Sequence, residues 1–95
     1  MRKNIIIPIE IAWNENLNAS DKILFGFLYG NLDDKCCDGT NLNFSQYLNM
    51  SVTTIAKSLK KLESEDLLEI FPLEEYGHYA KRIYIKEIYG NKYSI

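Results

Sequence analysis

The stretch from Asn41 to Leu62 constrains this chain more than any other. It reads Asn-Leu-Asn-Phe-Ser-Gln-Tyr-Leu-Asn-Met-Ser-Val-Thr-Thr-Ile-Ala-Lys-Ser-Leu-Lys-Lys-Leu. Phe44, Tyr47 and Leu48 are spaced to line one face of a short helix. Asn49 follows, a residue that tolerates the positive φ with which a chain often leaves a helix. Met50 can plug the corner. Ser51 is a good N-cap, because its hydroxyl accepts from amides two or three residues on. Ile55, Leu59 and Leu62 then recur at helical spacing and predict the buried stripe of a second, longer helix. Thr53, Lys57, Lys60 and Ser64 fall on the opposite face.

A short helix, a tight corner and a longer helix with a Thr/Lys face is the pattern of a helix-turn-helix. These residues resemble the helix-turn-helix of bacterial winged-helix regulators and replication initiators. Ser45 sits where the two helices cross in that family, Asn49 where the family usually has Gly, and Ile55 and Leu59 at the buried positions of its recognition helix. The plainer alternative is an αα-hairpin that binds nothing.

Ninety-five residues predict a single domain over 1–95, large enough for one core. The 46% hydrophobic content is ordinary for a globular chain. No apolar run reaches membrane-spanning length, and the N-terminus lacks the apolar segment and cleavage site of a signal peptide, so a cytoplasmic location is expected. The net charge of −2 bears directly on function. A nucleic-acid binder is either basic overall or carries a concentrated basic face, and only the second is open here. Richness in Ile, Asn, Lys and Tyr suggests an AT-rich genome.

Ahead of the helix pair, Met1 to Asn4 form a short basic lead, and Ile5 to Ile7, bounded by Pro8, read as a short strand. Pro8 can also open a helical turn through Ile9, Ile11 and Trp13, with Trp13 read as a core or lid residue. The first long helix opens near Leu17. Asn18 or Ser20 caps it, and Asp21 suits the positive end of its dipole. Ile23, Leu24, Phe27, Leu28 and Leu32 form one apolar stripe. Phe25 and Tyr29 lie off it, so the N-terminal strand, the C-terminal segment or a second subunit is expected to cover that side. Gly26 inside a helix costs about 1 kcal/mol relative to Ala, which predicts close packing against another backbone.

The run Leu17-Asn18-Ala19-Ser20-Asp21-Lys22-Ile23-Leu24-Phe25-Gly26, followed by a polar loop and the helix pair, looks like the N-terminal winged-helix domain of phage and plasmid replication initiators. That family typically has a Leu-Ser-rich cap and then Ala-Lys-Leu-Leu-Tyr-Gly. The likeness spans roughly residues 5 to 86 and rests mostly on structural positions.

Asp33 to Thr40 reads as a solvated acidic loop with two free thiols, Cys36 and Cys37. Adjacent cysteines do not easily bridge each other, and with His78 the sole histidine no zinc site is expected. The faint echo of a calcium loop fails at its third and twelfth positions. After acidic Glu63, Glu65 and Asp66, the segment Leu67–Leu73 reads as a strand, 74–78 as a turn and Ala80–Lys86 as the returning strand. Arg82, Tyr84 and Lys86 share one face of it, and Ile83 and Ile85 the other. The tail, 87–95, has no clear period, though Ile88, Tyr89 and Ile95 are apolar enough to dock.

No Gly-rich phosphate loop and no nucleophile beside a base is visible, so no enzyme activity and no cofactor is expected. The expected architecture is α+β, a winged helix-turn-helix: an N-terminal strand, a three-helix core and a C-terminal β-hairpin wing. The helix-turn-helix spans about 41–66, the wing about 68–86 and the tail 87–95. The resemblance implies sequence-specific binding of double-stranded DNA by a bacterial, phage or plasmid protein, in replication initiation or transcription regulation. Carried onto this chain, Ser51 and Lys57 meet phosphate or base edges, Thr53 faces bases, Lys60 and Lys61 face phosphates, and Lys81 and Arg82 are wing contacts. Val52 and Ala56 either meet a thymine methyl or mark a face that does not read bases. Glu74 and Glu75 at the wing tip depart from the family. A homodimer through the first long helix and the tail is expected. The competing class is a winged-helix module, or small inhibitor of a host protein, that binds protein and not DNA.

Overall fold

The computed structural model describes residues 4–73 and 80–86. The chain is α+β, with four helices and one three-stranded antiparallel sheet among the described residues. In order these are α1 (Ile9–Ala12), α2 (Ala19–Gly30), β1 (Cys36–Gly39), α3 (Asn41–Leu48), α4 (Val52–Ser64), β2 (Leu68–Pro72) and β3 (Lys81–Ile85). The sheet order is β1-β3-β2.

Each long helix starts on a side-chain cap. Asn18 accepts from the Asp21 amide at 2.9 Å while the Asp21 carboxylate accepts from the Asn18 amide at 3.0 Å, a reciprocal capping box that opens α2. Asn18, and not Ser20, is therefore the cap. Thr40 and Asn43 repeat the device at α3. Ser51 caps α4 by accepting from the Thr54 amide at 3.0 Å.

The core lies between α2, α4 and the inner face of the sheet. Leu24, Phe25, Phe27 and Leu28 enter it from α2, Phe44 from α3, and Ile55, Leu59 and Leu62 from α4. Strand alternation supplies Leu68, Ile83 and Ile85, and Cys37 comes in from β1. Phe44 meets Phe27 edge-on, with centroids 6.2 Å apart. The helical stripe expected on α4 is the buried one, joined by Ser58.

Three readings of the sequence are corrected. Ile5–Ile7 is not a strand of the sheet; one backbone bond, Ile6 N to Gly26 O at 3.0 Å, holds it on α2. Cys36–Gly39 is not a solvated loop but the third strand, pairing with β3 in the register Cys37↔Ile83 and Asp38↔Arg82. The sheet strand expected at the N-terminus is thus supplied between the first two long helices. Trp13 is neither core nor lid, being 74% exposed, whereas Ile11 is the residue of α1 that turns inward. Phe25, off the main stripe of α2, is fully buried within its own chain and stacks on Tyr29. The turn read at 74–78 and the tail at 87–95 lie outside the described residues.

The expectation at Gly26 holds. A Cβ there would stand 2.6 Å from Ile7 Cγ1 and 3.3 Å from the Ile6 carbonyl oxygen, and one at Gly30 would stand 2.8 Å from the Asn4 oxygen. Two glycines one helical turn apart open a track on α2, and the N-terminal arm lies in it. Asn31 closes the far end, its side-chain amide donating to Asn4 O at 2.7 Å.

Candidate nucleic-acid interface

α3 and α4 meet at a three-residue corner. Asn49 takes the left-handed conformation, with φ 53° and ψ 45°, and its amide donates to Ser45 O. That single residue ends α3 and turns the chain. Ser45 fixes the corner from inside, its hydroxyl donating to Met50 O, while Met50 packs half-buried against the core. Phe27 of α2 stacks on Tyr47 at 5.5 Å and so ties α3 down. These contacts set the angle at which α4 is presented.

With Ile55, Ser58, Leu59 and Leu62 turned inward, the opposite face of α4 carries Thr53, Lys57 and Lys60, all exposed. Lys61, also exposed, stands one turn from Lys57. Lys57 and Lys61 border a cleft whose other wall is the start of α2, with Asn18, Ser20 and Asp21. Val52, 44% exposed, stands at the first turn beside Thr53. Ser51 is exposed, but its hydroxyl is occupied: it accepts from the Thr54 amide and donates to Thr54 Oγ1 at 2.9 Å.

The basic residues of α4 differ from those of β3 and its end. Among the described residues, Lys57, Lys60 and Lys61 enter no ion pair. Those of β3 and its end are engaged. Arg82 grips Asp38 across the β1–β3 pair through two bonds of 3.0 and 2.9 Å. This holds the Asp38 carboxyl below its usual range and the guanidinium above its own. Lys86 bridges Asp66 and Glu69, each at 3.2 Å, and those bonds push its ammonium up. Lys81 falls on the inner face by strand alternation. Its ammonium donates to Asn41 Oδ1 at 2.9 Å, and desolvation lowers its pKa against the pull of Glu63.

The seven residues singled out from sequence therefore do not form one surface of free charge. Thr53, Lys57, Lys60 and Lys61 come together on α4. Lys81 turns toward the start of α3, and Arg82 sits on the outer face of the sheet with its charge matched. The sequence reading missed Asp38, the residue that occupies Arg82. The signal was the acid itself, hidden because its segment read as loop.

Cys37 is 2% exposed and burial pushes its thiol up to about 11, so it acts as a small apolar side chain. Among the described residues no group of three or more His, Cys, Asp or Glu is placed to hold a metal ion. No described helix is long and apolar enough to cross a membrane. Comparison with family models, with curated proteins and with solved structures finds no match to this chain.

Proposed function

We propose that this chain is a winged helix-turn-helix domain that binds double-stranded DNA through the outward face of α4, as a replication-initiator-like or regulatory factor. What supports the fold name is the order of elements: α2, β1, α3, the Asn49 corner, α4, then the strands β2 and β3 directly after it. The observation that carries the function is the division of charge. In an acidic chain, three lysines on one helix stand out toward solvent without an ion pair among the described residues, while Arg82 and Lys86 are ion-paired and Lys81 is held by Asn41.

Lys57, Lys60 and Lys61 would each release counterions on meeting a phosphate. Three such contacts give a slope of log K against log salt of about −2.7. Thr53 and the Val52 methyls, at the start of α4, are the side chains suited to base edges, Val52 to a thymine methyl. Glu63, Glu65 and Asp66 at the other end of α4 repel phosphates, so DNA approaches from the Ser51 end.

A second reading has its own support. Leu42 is 56% exposed, Tyr47 40% and Val52 44%, a set of apolar side chains on α3 and α4 that suits a protein partner. Titration of the labelled protein with a duplex of about two helical turns, followed by backbone amide NMR, separates the two. The DNA reading expects shifts concentrated on residues 51–61 that shrink as salt is raised. No shifts at low salt would remove it and leave the protein-partner reading.

A further inference from the structure

Among the described residues, a second run of exposed apolar side chains lies ahead of α2. Ile5, Ile6, Ile7, Ile9 and Trp13 are 50, 52, 37, 55 and 74% exposed, all within nine consecutive residues. The first three belong to the arm seated on α2, where Ile5 Cγ2 and Ile7 Cγ1 both lie against Gly26 while Ile6 gives it its amide, the alternation of an extended chain. In an extended chain the amide and carbonyl of one residue point to the same edge, and those of its neighbours to the other. Ile6 spends its amide on Gly26 O, and the Asn4 carbonyl, on the same edge, accepts from Asn31. The amides and carbonyls of Ile5 and Ile7 therefore face away from α2, and among the described residues they meet no hydrogen-bond partner. Pro8 opens α1 and ends the arm.

From this geometry we infer that the arm is a dimerisation strand whose occupant is the arm of a second copy. The edge is complementary to itself. Antiparallel pairing about a two-fold axis at Ile6 sets Ile5 opposite Ile7 of the other copy, and each such pairing closes a reciprocal pair of N–H···O bonds. Both residues whose polar groups are open are the ones that pair, and the residue already bonded to α2 lies on the axis. An isologous contact of this kind closes at two copies. The side chain of Ile6 then meets its own copy at a non-hydrogen-bonded position, where Cα atoms approach to about 4.5 Å. Ile9 and Trp13 extend the apolar contact beyond three residues of strand, which alone fall short of the roughly 1,200 Å² of a stable interface. The neutral, apolar character of the segment gives no like-charge repulsion between copies. The pairing requires no DNA, so its failure and that of the DNA reading are distinguishable.

The test is sedimentation equilibrium on the full chain without DNA, at about 100 µM, where a dimer of micromolar Kd is populated. The wild type is expected to have twice the protomer mass. Ile6→Lys sets two ammonium groups against each other on the axis without touching the α2 track, and is expected to run as a monomer with an unchanged circular dichroism spectrum. Cysteine scanning checks the register independently of that variant. Oxidised Ile6→Cys is expected to give a 6–6 disulfide, mapped by mass spectrometry apart from links through Cys36, whereas Ile5→Cys, opposite residue 7, is not expected to self-link. A wild type that stays monomeric overturns the inference. So does a dimer that survives Ile6→Lys, or one that cross-links at 5 as readily as at 6.

Discussion

Asn49 shows how much of the helix pair rests on one side chain. Its left-handed conformation strains a residue with a Cβ, and a β-branched residue suffers most. Asn49→Val is expected to lower unfolding free energy by about 1–2 kcal/mol. Asn49→Gly is expected to leave stability within about 1 kcal/mol of wild type, because glycine adopts this conformation freely. Urea denaturation of the two variants measures both. Equal losses in Val and Gly variants would mean that the Asn side chain, and not the backbone conformation, holds the corner. Asn49, Ser51 and the stripe Ile55–Leu59–Leu62 were legible in the sequence because each acts over a few residues. Trp13 was not, since its size says what it would bury and nothing about whether a neighbour arrives to cover it.

At the scale of elements, α4 was legible because its apolar period runs uninterrupted for three turns. β1 was not, for a reason the geometry makes plain. Cys-Cys-Asp-Gly has little strand propensity, and the tight turn before it places Asp34 and Lys35 at φ 53° and 73° without a glycine. It becomes a strand only because β3, more than forty residues later, pairs with it. The arm was misread in the opposite sense, since a β-branched run bounded by proline carries strand propensity without a partner strand. The Asp38–Arg82 pair marks the β1–β3 junction and makes it testable. Asp38 has a folded pKa below its ordinary 3.8, chiefly because Arg82 donates to it. The pair therefore contributes stability above about pH 3.8 that is lost as pH falls through the lowered value. Both side chains are some 40% exposed, so water screens the contribution and keeps it small. Asp38→Asn is expected to lower Tm slightly at pH 7 and to converge with wild type at the acid end. A difference that persists at the acid end would place the effect in packing and not in charge.

For the whole molecule, two surfaces stand apart: a cationic helix face presented by the Asn49 corner, and an apolar arm laid along α2. The first was foreseen from sequence in its position on α4. Its separation from the β3 cations was not, because that depends on which acid each cation reaches across the sheet. The central claim is that the free lysines of α4 hold DNA, and it is tested most directly by a pair of substitutions outside the core. Lys57→Ala with Lys60→Ala removes two exposed side chains and leaves the buried stripe untouched, so Tm is expected to change little. Fluorescence anisotropy on a labelled duplex, repeated across a series of salt concentrations, reads the contacts. Wild type is expected to bind with a slope of log K against log salt of about −2.7, and the double variant to bind more weakly with that slope flattened by about 1.8, one contact's worth for each lysine removed. A wild type that shows no binding even at low salt, or a double variant that binds equally tightly with the same slope, would contradict the assignment of α4 as the DNA-contacting face.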